Sequence, residues 1–318
     1  MRMLKALTAV FMVLVLPMIL FSLLKYPEYT QSAEPNECPT VTDEQVVTLR
    51  ILRNGDVVEV PLETYVASAL YGEMPPKFEI EALKAQAVAI RTYTLRRLLS
   101  GGKHENTNLC TDPSCCQAYR EPDLSAGFEK CLQASESTRG EVLFYDGNLI
   151  EATYFSCSGG KTEAAVEVWG ADIPYLRSVD SPGEEDAAHY KDTCMIGLDE
   201  FASKLGISHA ESIYVVDYTE GGGVKSIRIG DKVFTGTDVR AALNLRSTVF
   251  EISVLENSVL ITTKGYGHRV GMSQYGAQAM AMAGNNYSQI LAHYYPDTQI
   301  LPMEGEIVNA LFDKEGVI

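Results

Sequence analysis

The first twenty-five residues most constrain how this chain can fold, because they are suited to a lipid bilayer rather than to a globular core. Residues 6–24 carry no charged side chain and are mostly apolar, which is about the length of a membrane-spanning helix. Arg2 and Lys5 precede this run, which favours a cytoplasmic N-terminus. No A-x-A cleavage pattern follows it. The sequence therefore predicts an uncleaved single-pass anchor in the cell membrane, with a cleaved secretory signal as the alternative. In both cases the remainder is extracytoplasmic.

Length and charge limit what the remainder can be. The chain has 318 residues, 46% of them hydrophobic, which suffices for a substantial core. The formal net charge of −16 disfavours nucleic acid as a partner. We expect a cytoplasmic tail and anchor at 1–25, a polar linker at 26–44, a folded ectodomain at 45–302 and a C-terminal tail at 303–318.

Turn signals and helix boundaries predict an α+β fold. Asn54-Gly55 and Asp146-Gly147 are hairpin turns, and VKSIRIGDKVF and FEISVLENSVLITT are typical of further hairpins. Helices are predicted from Pro61 to about Leu70, over 79–99, up to Leu243 from a cap at Thr237 or Asp238, and over 273–283 and 288–294. Since strands and helices cluster rather than alternate, we expect mixed β-hairpins and helices in a two-lobed body with a substrate groove.

The stretch YGEMPP places a carboxyl group, Glu73, at a corner between two predicted helices. Pro75 and Pro76 restrict the backbone there, and Gly72 allows another group to approach closely. A carboxyl group held at such a corner can have a raised pKa and act as a general acid. Arg91 on the following helix is a candidate to assist it. The alternative is an ordinary glutamate at the end of a helix.

The stretch HENTNLCTDPSCCQAY contains His104, Cys110, Cys115 and Cys116 within thirteen residues. Four such donors could form a closed tetrahedral zinc site, although the spacing matches no common zinc finger. Exported cysteines often form disulfides, which is the alternative. The total of seven cysteines is odd, so not all of them can be paired within one chain.

Two glycine-rich stretches are candidates for substrate binding. SCSGGKTE can present backbone amides at Ser158, Gly159 and Gly160, with a plain turn as the alternative. GYGHRVGMSQYGAQAMA surrounds a histidine with glycines and then opens a helix. Its candidate residues are His268, Ser273, Gln274 and Tyr275. The chain contains neither H-E-x-x-H nor G-x-S-x-G, which disfavours a zincin protease and an α/β-hydrolase.

Taken together, these stretches resemble the stage II sporulation protein D family, membrane-anchored lytic transglycosylases of endospore-forming bacteria. The similar pieces run from about Leu62 to Pro296 and are YGEMP, ALKAQAVAIRTYTL, CCQAY, SGGKTE, VWGADIPYLRSVDSP, GYGHRVGMSQYGAQAMA and ILAHYYP. Two departures concern the groove wall. Arg269 stands where the family usually has glycine, and Gly183 where tryptophan is common.

The resemblance implies an activity, site residues and partners. The activity is cleavage of peptidoglycan glycan strands, preferably stripped of stem peptides, during engulfment of the forespore. The implied partners are the amidase stage II sporulation protein P and the membrane protein stage II sporulation protein M, in the space between mother-cell and forespore membranes. The implied catalytic residues are Glu73, Arg91 and Lys191. A structural zinc ion would be bound by His104, Cys110 and Cys116, with Cys115 where a histidine is common.

The implied chemistry needs one acid–base group. Glu73 would protonate the glycosidic oxygen and then, as a carboxylate, take the proton from the C6 hydroxyl of N-acetylmuramic acid, leaving a 1,6-anhydro end. Two rival functions are a non-catalytic glycan-binding scaffold and a zinc-dependent wall amidase or peptidase. Four nearby donors would close a zinc site, whereas a catalytic zinc needs an open position.

Overall fold

The computed structural model describes residues 47–101, 104, 107, 109–208, 210 and 212–303. The predicted anchor, the whole predicted linker and nearly all of the C-terminal tail lie outside these residues. Within the described ranges, no helix has both the length and the apolar character needed to cross a membrane. The described part is a mixture of helices and several small sheets, which confirms the α+β prediction.

The domain begins with the hairpin that Asn54-Gly55 predicts. Strands β1 (Thr48–Arg53) and β2 (Asp56–Pro61) pair antiparallel. Both turn residues have positive φ, 52° and 93°, as a type I′ turn requires. A short strand β3 (Leu109–Cys110) joins β1 in parallel and completes a three-stranded sheet. This pairing brings the first cysteine of the HENTNLCTDPSCCQAY stretch to the sheet.

Three helices form the centre of the main hydrophobic core. They are α1 (Leu62–Glu73), α2 (Ile80–Leu99) and α3 (Ala126–Ser137). Helix α2 contains no Gly or Pro and is buried over much of its circumference, because its alanines allow neighbouring elements to approach closely. The helix α1 extends three residues past the predicted end at Leu70, so that Gly72 and Glu73 lie in its last turn. Helix α3 was not predicted.

The rest of the main core comes from two later segments of the chain, residues 141–169 and 272–302. Strand β4 (Glu141–Tyr145) lies between β5 (Asn148–Leu149) and β14 (Gln299–Pro302). Strand β6 (Tyr154–Phe155) pairs in parallel with β13 (Met272–Ser273), and the short helix α4 is Ala165–Trp169. Helices α7 (Gln274–Met282) and α8 (Tyr287–Tyr294) are capped by Ser273 and Asn286. The β6–β13 pairing joins two stretches that the sequence analysis treated separately.

A second hydrophobic core lies in the segment between α4 and β13. Its strands are β7 (Lys191–Gly197), β8 (Ile213–Tyr218), β9 (Val224–Ile229), β10 (Lys232–Thr235), β11 (Val249–Val254) and β12 (Ser258–Lys264). Its helices are α5 (Leu198–Leu205) and α6 (Gly236–Leu243). They surround Phe201, Ile227 and Val239. The predicted β9–β10 and β11–β12 hairpins are confirmed, while Thr235 caps α6 in place of Thr237 or Asp238.

Candidate active site

Glu73 is the last residue of α1 and lines an open cavity of about 710 Å³. The predicted stiff connection follows it directly, since Met74 has extended backbone angles and precedes Pro75-Pro76. The backbone amide of Ala118 donates to Glu73 Oε1 at 2.6 Å. Tyr154 and Gln274 line the same cavity, and their uncharged side chains favour the charged form of the carboxyl group. Helix α1, the chain after CCQ, strand β6 and helix α7 therefore converge on one carboxyl group.

Two opposing effects act on the pKa of Glu73. Burial raises the pKa above its usual value, because a charged carboxylate loses hydration. The Ala118 amide and the uncharged side chains of Tyr154 and Gln274 lower it, since they stabilise the charged form. Burial is the stronger effect and the net direction is upward. The raised pKa favours the protonated acid, and these uncharged groups stabilise the carboxylate once the proton has left.

Gly72 explains how the Ala118 amide reaches Glu73. A Cβ atom at residue 72 would lie 2.9 Å from the backbone nitrogen of Tyr119 and 3.0 Å from the carbonyl carbon of Ala118. Only glycine allows the segment to pass this close to the helix. The close approach predicted from YGEMPP is thus present, and the group that approaches is a backbone donor to Glu73.

The cavity wall is rich in aromatic rings. Trp169 and Phe155 have ring centroids 5.4 and 5.7 Å from that of His268. Burial lowers the pKa of His268 to about 4, so its ring is neutral at ordinary pH. The Val270 amide donates to His268 Nδ1. The described residues that line the cavity are Glu73, Tyr93, Arg97, Pro113, Cys116, Gln117, Glu151, Thr153, Tyr154, Phe155, Ser156, Trp169, Tyr266, Gly267, His268 and Gln274.

Among the described residues that line this cavity, the second carboxylate is Glu151. Its two oxygens accept from Arg96 Nε at 2.9 Å and Arg97 Nη2 at 2.7 Å. This carboxylate is thus held in ion pairs, while the groups that stabilise ionised Glu73 are uncharged. The site offers one carboxyl group that is free to exchange a proton.

The structure places Arg91 in the hydrophobic core and not among the described residues that line the cavity. Its guanidinium is fully buried and forms a bidentate pair with Glu63, at 2.9 and 2.5 Å, and donates to the carbonyls of Ser135 and Glu141. Burial alone would raise the pKa of Glu63, but the bonds to Arg91 lower it below its usual value. Arg91 therefore joins α2 to α1, α3 and β4 in the core. Sequence analysis missed Glu63 as its partner, because the two residues are 28 positions apart.

Lys191 also lies outside the cavity lining. It is the exposed first residue of β7 and pairs with Lys264 of β12. Its alignment with a family lysine stays a prediction.

The amides of the glycine turn at Ser158–Gly160 do bind a carboxylate, but this carboxylate is the side chain of Glu184 in the same chain. Glu184 Oε2 accepts from the amide and hydroxyl of Ser158 at 2.7 and 2.9 Å and from the amide of Gly159 at 3.0 Å. The Gly160 amide donates to Ser158 Oγ. These groups are occupied inside the fold, so the structure does not support a substrate-binding role for the turn. Sequence analysis missed Glu184, two residues after SP in VDSPGE.

Some residues of the last glycine-rich stretch line the cavity, and others stabilise the fold. His268 and Gln274 line the cavity. Ser273 is buried and its hydroxyl caps α7 by accepting from the Gly276 amide at 3.2 Å. Tyr275 packs edge-on against Phe78 with centroids 5.0 Å apart. Arg269 fills the adjacent core, where Nη1 donates to Glu163 at 2.9 Å.

His104, Cys110, Cys115 and Cys116 come together in one cluster whose donor atoms all lie within 4.8 Å of one another. His104 Nε2 is 3.6 Å from Cys115 Sγ and 3.5 Å from Cys116 Sγ, and the two sulfurs are 3.9 Å apart. Ligands of one tetrahedral zinc, with bonds of about 2.3 Å to sulfur and about 2.0 Å to nitrogen, stand roughly 3.5–3.8 Å apart. The residues fit the metal, and the sulfur separation of 3.9 Å is about twice a disulfide bond.

The cluster adjoins the site through consecutive residues. Cys116 and Gln117 both line the cavity, and Ala118 supplies the amide that binds Glu73. The position of this amide therefore depends on how the cysteine loop is held.

Comparison with known protein sequences finds one matching family and several relatives. The family described as SpoIID, stage II sporulation protein, matches residues 53–145. Stage II sporulation protein D of Bacillus amyloliquefaciens is 37% identical over 287 residues, covering 85% of this chain and 82% of the relative. The protein of that name from Bacillus subtilis is 38% identical over 261 residues, covering 78% and 76%.

A more distant relative carries a different name. The amidase enhancer of Bacillus subtilis is 30% identical over 285 residues, covering 72% of this chain and 39% of the relative. The two matches to stage II sporulation protein D each cover more than three quarters of this chain. This chain belongs to the stage II sporulation protein D family of sporulation proteins.

Proposed function

We propose that this sporulation protein is a lytic transglycosylase that cleaves peptidoglycan glycan strands to 1,6-anhydro-N-acetylmuramic acid ends. One observation carries the proposal. Among the described residues that line the cavity, Glu73 is the one carboxyl group without a cationic partner, and burial raises its pKa. Glycosidases that use water need a second carboxyl group to activate it or to attack the sugar. The other carboxylate here, Glu151, is bound by two arginines.

The reaction consists of two proton transfers through one carboxyl group. Protonated Glu73 donates its proton to the glycosidic oxygen as the bond from C1 of N-acetylmuramic acid to that oxygen breaks. The C6 hydroxyl oxygen then bonds to C1, and its proton passes to the Glu73 carboxylate. The products are a free hydroxyl on the leaving sugar and a 1,6-anhydro ring, and the enzyme regains its starting protonation state. The Ala118 amide and the uncharged side chains of Tyr154 and Gln274 stabilise the carboxylate between the two steps.

The aromatic wall supports a carbohydrate substrate. Trp169, Phe155 and the neutral ring of His268 offer apolar faces on which a sugar ring can pack. A neutral His268 also spares the site a positive charge that would lower the pKa of Glu73. The expected preference for strands without stem peptides comes from the family resemblance.

The four-donor cluster is proposed to hold a structural zinc ion. His104 and the thiolates of Cys110, Cys115 and Cys116 would be its ligands. When bound, the ion supplies a cross-link rather than a reactive centre, because four protein ligands leave no open position. Its consequence for the site lies in the next two residues, because Gln117 lines the cavity and the Ala118 amide donates to Glu73.

The family resemblance also supplies a proposed setting. A single-pass anchor over residues 6–24 would hold the catalytic domain outside the cytoplasm, in the space between mother-cell and forespore membranes. The proposed partners there are stage II sporulation protein P, which as an amidase would remove stem peptides, and stage II sporulation protein M.

The test is product analysis on glycan strands freed of stem peptides. The full chain in detergent should release fragments with 1,6-anhydro ends. By mass spectrometry these fragments should be about 18 Da lighter than hydrolysed fragments, because no water is added to the broken bond. Glu73→Gln should release none while remaining folded by circular dichroism. Reducing ends from hydrolysis, or full activity in Glu73→Gln, would overturn the proposal.

The name of one relative favours a second candidate function. The amidase enhancer of Bacillus subtilis suggests that members of this fold stimulate another wall enzyme. In that case, a purified wall amidase would release peptides faster in the presence of this protein. Glu73→Gln would leave that stimulation unchanged, which separates it from glycan cleavage.

A further inference from the structure

Arg269 is a buried arginine in a backbone conformation that long side chains rarely adopt. Its φ of 66° lies in the left-handed region, and the residue is 1% exposed. Its Nε donates to the carbonyl of Ser158 at 2.6 Å, and its Nη2 donates to the carbonyls of Lys161 and Gly221, both at 2.6 Å. Its Nη1 donates to Glu163 Oε1 at 2.9 Å. A strained residue persists only where its surroundings fix it, so these four hydrogen bonds mark a constrained part of the molecule.

Glu163, the acidic partner of this arginine, is also fully buried. Its Oε1 accepts in addition from Thr219 Oγ1 at 2.6 Å and from the Gly223 amide at 3.2 Å. Its Oε2 is buried without a hydrogen bond to the residues that the structure describes. The carboxylate therefore depends on Arg269 to compensate its charge. Together the two side chains join the turn between β8 and β9 to the stretch that follows the Ser158 turn.

The two chain segments that meet at this ion pair each lead to an aromatic ring of the cavity wall. The backbone amide of Glu163 donates to the carbonyl of Arg269 at 2.6 Å, and Glu163 forms a parallel bridge with Val270. His268 directly precedes Arg269, and the helix that begins just after Glu163 ends at Trp169. The rings of Trp169 and His268 are in contact in the cavity lining, with centroids 5.4 Å apart and planes at 55°. The relative position of the two segments therefore sets the separation of the rings.

We infer that Arg269 is a positioning residue for glycan binding, which acts through its ion pair with Glu163 to hold the rings of Trp169 and His268 as one platform for a sugar. The inference deepens the proposed function and rests on it for the identity of the sugar. Arg269 is not among the described residues that line the cavity, so its effect on the substrate is exerted through the two rings. Its contribution is to binding and not to proton transfer at Glu73.

A platform that is fixed before the substrate arrives binds a sugar more tightly than two mobile rings. Each side chain that a ligand must immobilise lowers the affinity, and a preformed pair avoids this loss. Trp169 is 44% exposed although it packs against His268, so a ligand can reach its ring. An apolar ring face is also the kind of surface on which the carbon-bound hydrogens of a sugar pack.

The ion pair of Arg91 and Glu63 in the main core provides a matched control. It is also buried, and Glu63 likewise accepts from one hydroxyl group and one glycine amide. Neither of its members is among the described residues that line the cavity. The experiment therefore compares Arg269→Met/Glu163→Gln with Arg91→Met/Glu63→Gln. Each double variant removes both charges and keeps an amide oxygen as an acceptor.

The fluorescence of Trp169 reports on the platform directly, because it is the one tryptophan of the chain. Two quantities are measured on the full chain in detergent. The first is the quenching of Trp169 by acrylamide. The second is the dissociation constant of a peptide-free tetrasaccharide of alternating N-acetylglucosamine and N-acetylmuramic acid, obtained from its protection of Trp169 against the quencher. The parent chain and both variants carry Glu73→Gln, so that the tetrasaccharide is not cleaved during the titration.

Loss of the Arg269 pair should release the two rings from each other. We expect acrylamide quenching to rise about twofold and the dissociation constant of the tetrasaccharide to rise about tenfold, the scale of one aromatic contact. The Arg91 pair variant should lose stability while both quantities stay at the parent's values. In Trp169→Ala, where binding is followed by calorimetry, further loss of the Arg269 pair should weaken binding less than about twofold, because the pair acts through that ring. In the chain with Glu73 intact, loss of the Arg269 pair should raise KM with little change in kcat.

Several outcomes would overturn the inference. It fails if loss of the Arg269 pair changes neither quantity, if loss of the Arg91 pair changes both equally, if the full effect persists in Trp169→Ala, or if the tetrasaccharide does not protect Trp169 in the parent chain. If the Arg269 pair variant does not fold, Arg269→Lys replaces it, because one ammonium group can reach Glu163 but cannot span the three carbonyls. It should raise the dissociation constant about threefold, and an unchanged constant would equally overturn the inference.

The inference and the proposed function can fail separately. Binding that depends on the Arg269 pair, in a protein whose wild type releases no 1,6-anhydro ends, would support the inference and refute the proposed function. Release of 1,6-anhydro ends by a protein whose binding is insensitive to the pair would do the reverse.

Discussion

Glu73 and Glu184 show how one structural device serves chemistry in one place and stability in another. In both, backbone amides donate to a carboxyl group with the help of a glycine. Gly72 lets the Ala118 segment pass close to Glu73, and Gly159 adopts the positive φ of the turn whose amides bind Glu184. Glu184 is buried, and its two oxygens are bonded to the Ser158 turn and to Ser181. Glu73 is only half-buried and opens into the cavity.

The comparison teaches that hydrogen-bond donors alone do not make a reactive carboxyl group. Glu184 is held as a structural anion that ties the glycine turn to the segment before β7. Glu73 differs in having a cavity on one side, so that burial can raise its pKa while a substrate can still reach it. The following predictions test this difference, from the largest expected effect to the smallest.

Replacement of each carboxyl group by its amide should separate chemistry from stability. Glu73→Gln should reduce glycan cleavage by about 10³-fold or more, in the range lost with a general acid. Its melting temperature at pH 7 should be equal or higher. The reason is that an acid whose pKa is raised by folding opposes folding once the unfolded chain ionises, and the amide cannot ionise. A large loss of stability in Glu73→Gln would show that this group is structural, like Glu184.

Arg91→Ala should cost the most stability, because it leaves Glu63 as a buried charge without a partner. Removing one member of a buried ion pair destabilises by about 3–5 kcal/mol. Denaturant unfolding measures this loss, and activity should be compared per folded molecule. The double variant Arg91→Met/Glu63→Leu should recover part of the stability, since it removes both charges. If Arg91→Ala were stable but inactive, Arg91 would have a direct role in catalysis.

Glu184→Gln should give the reverse of Glu73→Gln. The amide group places a donor where Ser158 and Gly159 also donate, so stability should fall by about 2–3 kcal/mol, the scale of hydrogen bonds to a charged group. Cleavage measured well below the melting temperature should stay near the wild-type rate. If cleavage falls as far as in Glu73→Gln, the Ser158 turn belongs to the catalytic site after all.

Metal removal tests how far the Glu73 site depends on the cysteine loop. Elemental analysis of protein purified without reductant should find one zinc ion per chain. A chelator, and equally Cys116→Ser, should lower melting temperature and activity together, because the loop carries Gln117 and the Ala118 amide. Readdition of zinc should restore both to the chelated wild type. The absence of metal, with Cys110 in a disulfide, would replace the zinc site by a redox cross-link.

The smallest expected effect comes from Gly72→Ala. The new methyl group must push the Ala118–Tyr119 backbone away by some tenths of an ångström, which weakens the bond to Glu73 Oε1. We expect activity to fall about tenfold, with a stability loss of about 1 kcal/mol, typical of small overpacking changes. Gly197→Ala is the matched control, since its added Cβ meets no atom within 4 Å. Equal activity of the two variants would remove the Ala118 amide from the mechanism.

Local sequence determined much of what positions Glu73. The hairpin turns, the helix over 80–99, the corner at YGEMPP and the cysteine cluster were all predicted from neighbouring residues. These features depend on backbone preferences of Gly, Pro and Asn and on short-range spacing, which act within a few residues and are therefore legible in one sequence.

Only the tertiary structure decided which polar groups meet. From the sequence, Arg91 could face either a groove or the core. In the structure it lies in the core, where it pairs with Glu63 of another helix. The Ser158 turn could have bound a substrate, but Glu184 occupies its amides. Gln117 carried no sign of its hydrogen-bond partners, because Tyr65, Thr94 and Tyr154 come from three separate elements. The physical reason is that a buried polar side chain must be satisfied by whichever group packing brings within 3 Å, on the order of one hydrogen-bond length. Packing depends on contacts between residues far apart in the chain, on which local patterns carry no information.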